Sequence, residues 1–388
     1  MNILFVTNKN VYPLIGGIER ITYSVAEALR NIYGMHCFSL YTQENKLGET
    51  TTDVFDGKEC LGEKDQVKQM ADCIRKNGIQ VVIAQGSDAR VNQLMPQLRE
   101  AVDQCQGVKL LFVYHQMPGF ELVPMDVPTL WHRLLHGNKS AALRQLLIQI
   151  LPSYIATRLV REKYRIPYRN ADKVVLLSKG FIAQYNHFVC GEESRYAVIN
   201  NMLSFPATAI KDVEKQKEVL VVSRLDERQK RIKHALRVWR KANQPDWHLR
   251  IVGYGEDAQY YQDLAQKWQL PNVSFEGLQN PLQYYERARI FLMVSAFEGW
   301  GLTITEAQQC GCVPIAFDSY SAVHDIIDDD QNGIIVPEGD IDAYARQLQT
   351  LMNDSQTWQR LSDNARKDCL RYSRENIAKQ WKKLLENL

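Results

Sequence analysis

"NILFVTNKNVYPLIGGIERITYSVAEALRN" (residues 2–31) joins two periodicities across a glycine pair, and this unit decides the fold. The run Ile3-Leu4-Phe5-Val6 is continuously apolar, as in a strand buried on both faces, so the reading places a strand over 2–7. Ile18, Ile21, Val25, Ala28 and Leu29 then recur at helical spacing through 17–31. The same alternation continues along the chain. Further strands are expected at 36–42, 79–86 and 108–115, with helical stretches near 62–76 and 91–104. A poorly periodic stretch, 200–218, contains Pro206, after which strands are expected at 219–224, 247–255, 272–277, 289–296 and 312–318. The expected class is therefore α/β, with two doubly wound, mostly parallel sheets. The domains would be 1–199 and 200–370, hinged around 200–217 and facing each other across a central cleft. In such sheets ligands bind beyond the carboxyl ends of the strands.

Composition excludes several function classes. A 388-residue chain with 45% hydrophobic and 24% charged residues suits a globular protein of two domains. Its net charge of +2 argues against nucleic acid as a partner. The eight cysteines lack CxxC or Cys/His metal spacing, which suggests reduced thiols in a cytoplasmic protein without a structural metal. No signal-like start or apolar run of membrane-spanning length is expected to export the chain or anchor it. One segment departs from this even balance: residues 131–170 carry eight Lys/Arg against a single acid, Glu162. They also include Leu135, Leu143, Leu146, Leu147, Ile148, Ile150 and Leu151, interrupted by Pro152. Apolar and cationic faces together suggest peripheral contact with the anionic inner face of the cell membrane; the alternative is that the apolar residues pack inward.

Several stretches carry candidate chemistry. Gly16-Gly17, between the first strand and its helix, would let backbone N–H groups approach a phosphate or sugar, but the turn is not a GxGxxG. His115 follows the strand over 108–115, at the carboxyl edge of the first sheet. "SRLDERQKRIKHA" (223–235) places Arg224, Arg228, Lys230, Arg231 and Lys233 directly after the first strand of the second domain, where fixed cations suit a diphosphate. "FEGWGLTITEA" (297–307) sets Glu298 and Glu306 at either end of a loop freed by Gly299 and Gly301. Thr303-Ile304-Thr305-Glu306 fits a capping box, which accounts for Glu306 but not Glu298. A ligand bearing both phosphate and hydroxyl groups accounts for both acids.

Glu298 and Glu306, separated by seven residues and followed by "AQQCGCVPIAFD", resemble the E-x7-E signature of retaining nucleotide-sugar glycosyltransferases of the GT-B fold, family four. Gly16-Gly17 with Glu19-Arg20, His115, Arg224 with Lys230, and Gly253 and Gly255 in "IVGYGED" match further motifs of that family. The C-terminal 371–388 resembles its terminal helix, which crosses back to the first domain. Trp300 and the long "RLDERQKR" depart from the common pattern.

The resemblance implies two Rossmann-like domains and transfer of a hexosyl unit, with retention, from a UDP- or GDP-sugar to a glycan or lipid-linked acceptor. The setting would be assembly of bacterial surface polysaccharide. It further implies that Glu306 holds the ribose, that Arg224 and Lys230 stabilise the departing diphosphate, and that His115 contacts the sugar. Glu298 and the loop Gly299, Trp300, Gly301, Leu302 and Thr303 would grip sugar and phosphate. No cofactor or obligatory metal is expected, because cations already occupy the diphosphate role and "DDD" at 328–330 reads as a solvated turn. The rival readings are a nucleotide-sugar epimerase or phosphorylase of the same fold, and a non-catalytic nucleotide-sugar or glycan-binding protein.

Overall fold

The computed structural model describes residues 1–388 except 13–15, 45–53, 87–88, 137–138 and 243. The described residues form two compact units. The first comprises 1–119, 153–204 and 372–388; the second comprises 120–152 and 205–371.

The first unit is built on a seven-stranded parallel sheet. Its strands are β1 (Asn2–Lys9), β2 (His36–Gln43), β3 (Gly57–Cys60), β4 (Val81–Gly86), β5 (Lys109–Tyr114), β6 (Lys173–Leu176) and β7 (Tyr196–Val198), in the order β3-β2-β1-β4-β5-β6-β7. Ile3, Leu4, Phe5 and Val6 are sealed from solvent at its centre, as their unbroken apolar run requires. Helix Gly17–Tyr33 buries Ile21, Val25 and Leu29 and stops at left-handed Gly34, whose N–H reaches the Arg30 carbonyl at 2.9 Å. Helix Arg374–Glu386 belongs to this unit, capped by Ser373 and tied to the Gly17–Tyr33 helix by an Arg374–Glu27 ion pair. Strands β3, β6 and β7 add to the four expected from the sequence. At four residues or fewer, they are too short to show a period.

The second unit holds six parallel strands: β8 (Gln216–Val222), β9 (His248–Val252), β10 (Val273–Gly277), β11 (Ala288–Met293), β12 (Val313–Asp318) and β13 (Ile334–Pro337). Their order is β10-β9-β8-β11-β12-β13. Counted from its own first strand, each sheet begins 3-2-1-4-5-6, so strand order reverses between β1 and β4 and again between β8 and β11. A crevice opens at such a reversal because the connections leave on opposite faces.

The unit boundaries differ from those read along the chain. One crossing falls at Ser204/Phe205, inside the stretch read as a hinge, but Phe120–Pro152 joins the second unit. Residues 131–170 are therefore divided between units. Helices Val127–His136 and Lys139–Ile150 belong to the second, while helix Ser153–Asn170 belongs to the first and buries Ala156, Val160 and Tyr164. All eight cysteines are free, and six of them are buried.

Candidate active site

The second unit's reversal point gathers most of the chemistry. Arg224 and Lys230 follow β8, and Glu298 follows β11, the two strands that flank the reversal. Gln229 joins them. Its Oε1 accepts from Arg224 Nη2 at 2.9 Å, and its Nε2 donates to the Phe297 carbonyl at 3.2 Å and to Glu298 Oε2 at 3.3 Å. Lys230 Nζ donates to the other oxygen, Glu298 Oε1, at 2.5 Å. The pair is nearly closed to water, with the two side chains 13% and 10% exposed. Arg224 remains exposed and, among the described residues, has only that amide as a side-chain partner, so its charge is available to an anion.

The remaining cations of the run are placed elsewhere. Arg231 pairs with Glu338 at 2.9 Å. Arg228 donates to Gln145 Oε1 at 3.0 Å and lies against the rings of Phe120 and Phe297. Burial, then the nearby Arg133 charge, lowers the Arg228 pKa. Lys233 is buried.

Gly253 and Gly255 act through packing. A Cβ at Gly253 would stand 1.8 Å from the Ser223 carbonyl oxygen, and one at Gly255 2.2 Å from that of Leu225. Their lack of side chains lets 252–255 lie against the loop carrying Arg224, where Leu225 N–H donates to the Tyr254 carbonyl at 2.8 Å. Gly301 adopts φ 105° and starts helix Leu302–Gln309, with no side chain capping it. Thr303 is already helical, so the capping box does not form.

Glu306 is 1% exposed and accepts from Tyr285 Oη at 3.1 Å, on the side of the helix that faces helix Leu282–Arg287. Trp300 is buried beside the glycines. Tyr320, also buried, lies under Gly301: its hydroxyl would be 2.7 Å from a Cβ there, and it has no hydrogen-bond partner among the described residues.

In the first unit, His115 follows β5 and is buried, with Nε2 against Gln85 Oε1. An amide oxygen only accepts, so the ring proton sits on Nε2. Burial pulls the imidazole pKa down to about 4, leaving it neutral near pH 7. Gly16 has φ 74° at the head of its helix, and the Glu19 carboxylate lies over it, 2.1 Å from where a Cβ would be. Each aspartate of 328–330 has its own partner: Asp328 pairs with Arg371, Asp330 with Arg360, and Asp329 accepts from the Ile335 N–H.

Gln229, Tyr285 and Tyr320 were not legible as site residues. Gln229 stands inside a run dominated by charge, and the two tyrosines meet the loop only through the fold.

Two parallel-sheet, Rossmann-like units with this topology make the fold GT-B, the architecture of a large group of glycosyltransferases. HepE of Anabaena, solved with UDP, superposes with a TM-score of 0.77 over 100% of both chains at 15% identity. The lipopolysaccharide outer core galactosyltransferase WaaB superposes at 0.70, again over 100% of both chains, at 17% identity. Residues 208–368 match the family model described as glycosyl transferases group 1. An uncharacterized glycosyltransferase of Haemophilus influenzae is 30% identical over 39% of this chain and 44% of its own length. The poly(glycerol-phosphate) alpha-glucosyltransferase of Bacillus subtilis is 26% identical over 55% of this chain and 32% of its own. The amylovoran biosynthesis glycosyltransferase AmsD of Erwinia amylovora is 27% identical over 56% and 63%. The chain thus spans less than two thirds of the length of each of these three sequence relatives.

Proposed function

We propose that this chain is a retaining glycosyltransferase that moves a hexosyl unit from a UDP- or GDP-sugar to a glycan or lipid-linked saccharide during assembly of bacterial surface polysaccharide. The observation that carries the reading is the Arg224–Gln229–Glu298–Lys230 network at the carboxyl ends of β8 and β11. It sets two cations and a carboxylate beside a glycine loop that opens a helix. Negative charge grows on a diphosphate as the glycosidic bond breaks, and Arg224 and Lys230 stabilise it there. N–H groups of Gly299 to Thr303 add to this at the helix N-terminus, and Glu298 accepts from sugar hydroxyls. Glu306, oriented by Tyr285, is assigned to the ribose. His115 and the Gly16-Gly17 turn keep the sugar and phosphate contacts that the family pattern implies. The acceptor hydroxyl attacks from the face the diphosphate leaves, the bond from the anomeric carbon to the phosphate oxygen breaks, and the acceptor's proton passes to the departing phosphate, so no protein general base is assigned. The cations take the role a divalent metal would otherwise fill, so none is required.

Relatives named for poly(glycerol-phosphate) glucosylation, for amylovoran biosynthesis and for transfer to an undecaprenol-diphosphate-linked saccharide support the pathway, and HepE solved with UDP and with UDP-glucose supports the donor class. Transfer from labelled UDP- and GDP-sugars in EDTA, with the product anomer read by NMR, tests the whole reading. Arg224→Ala should melt like the wild type and turn over about 100-fold more slowly. Return of altered donor without transfer would indicate an epimerase. Donor binding without turnover would indicate a binding protein, and activity restored only by magnesium or manganese would overturn the metal-free mechanism.

A further inference from the structure

The packed helix pair Val127–His136 and Lys139–Ile150 of the second unit, here the hairpin, has two apolar faces, and only one of them is used by the fold among the described residues. Inward, Leu130 and Ala142 are buried with Met125, and Leu134 and Leu146 pack against them. Gln149 donates to the Met125 carbonyl at 2.8 Å. Outward, a second set recurs at helical spacing. Val127, Trp131 and Leu135 are 77%, 63% and 56% exposed, and Leu143, Leu147 and Ile150 are 52%, 56% and 68% exposed. Among the described residues in the rest of this unit, large apolar side chains are exposed only singly, at Val213, Tyr254, Leu278 and Leu370. Scattered residues of that kind need no partner, whereas six at helical spacing on two packed helices mark an interaction surface.

Charge identifies the partner. From Val127 to Arg161 the sequence has no Asp or Glu and five Lys/Arg. On the hairpin, Lys139 and Arg144 are exposed, and Arg133 is paired with Asp226 at 3.1 Å. An apolar face with an indole and unopposed cations suits the interfacial layer of an anionic bilayer, where apolar side chains enter the acyl boundary and cations meet lipid phosphates. We propose that the outer face of this hairpin docks on an anionic lipid surface, and that the acceptor is presented from that surface.

The inner face connects this docking to the donor loop. Arg133 and the Arg228 N–H converge on Asp226 Oδ1, the Asp226 carbonyl accepts from the Lys230 N–H at 2.7 Å, and Arg228 reaches Gln145. The hairpin is thus bonded to the segment that carries Lys230. The sequence-based surface, 131–170, narrows accordingly. Leu146 and Ile148 turn inward, while helix Ser153–Asn170 buries its own apolar face in the first unit.

Docking itself does not depend on the proposed chemistry; the choice of a membrane-presented acceptor does. The test uses the full chain in co-sedimentation with vesicles of phosphatidylcholine alone and of phosphatidylcholine with phosphatidylglycerol. Binding should appear only with the anionic lipid and weaken with salt. Lys139→Gln with Arg144→Gln should reduce it about 30-fold, at roughly fivefold per near-surface cation. Trp131→Ser with Leu147→Ser should abolish it without lowering the melting temperature. Equal binding to both vesicle types, no binding to either, or variants that bind like the wild type would each overturn the docking. A dimer in light scattering that the Trp131→Ser/Leu147→Ser pair disrupts would instead assign the face to a second copy of the chain. Transfer to one acceptor, compared in lipid-embedded and water-soluble form, separates the two claims: the apolar pair should lose activity only on the embedded form. Equal losses on both forms would overturn membrane presentation, whereas absence of transfer by the wild type would refute the function and leave the sedimentation result standing.

Discussion

Lys230→Met removes the cation from a carboxylate that has little access to water. Glu298 is 10% exposed at its side chain, and after the substitution its remaining side-chain donor among the described residues is Gln229 Nε2 at 3.3 Å. Breaking one half of a buried pair costs about 3–5 kcal/mol, and the retained amide contact puts this case near about 3 kcal/mol. In a unit of about 200 residues, each kcal/mol moves the melting temperature by roughly 2–4 °C, so a fall of roughly 6–12 °C is expected. Glu298→Gln should also destabilise, because Lys230 is then the uncompensated charge. The double variant Lys230→Met/Glu298→Gln should recover much of the loss. The assay is a thermal-melt double-mutant cycle without ligand. A single-variant shift below about 2 °C, with a coupling energy under about 0.5 kcal/mol, would refute the argument. It would mean that water screens the pair and that Lys230 does not hold Glu298.

The same pair competes with a bound diphosphate for Lys230, so Glu298→Gln should bind free nucleoside diphosphate more tightly yet transfer sugar more slowly; weaker calorimetric binding would contradict the exchange. Tyr320→Phe removes a buried hydroxyl that has no protein partner and should stabilise the ligand-free protein by about 1 kcal/mol, and a lowered melting temperature would show that the hydroxyl is satisfied. Burial raises the Glu227 pKa from 4.5 to about 7, so this side chain's contribution to stability is complete below pH 4.5 and is lost as pH rises through 7. Glu227→Gln should therefore gain on the wild type over that window by about 3 kcal/mol, measured by denaturant unfolding at several pH values, and a constant difference would rule out the shift.

The alternation of strand and helix could be read from the chain because its signals are local. An apolar run or a 3.6-residue period is complete within one element, and nine expected strands correspond to β1, β2, β4, β5 and β8 to β12. The placement of Arg224, Lys230 and Glu298 at the carboxyl edge of the sheet followed from the same reading, since each stands in the connection between a strand and the next helix. What each of those groups touches depended on residues far away in sequence. Arg228 meets Gln145 across 83 positions, Lys230 meets Glu298 across 68, and Glu306 meets Tyr285 across 21, with no periodicity to signal any of them. Residues 120–152 illustrate the same limit. The apolar and cationic pattern read over 131–170 overlaps them, and it is equally consistent with a face turned inward or outward. Only the tertiary structure decided that the hairpin joins the second unit, because that choice rests on Arg133–Asp226 and Arg228–Gln145 contacts that no local pattern encodes.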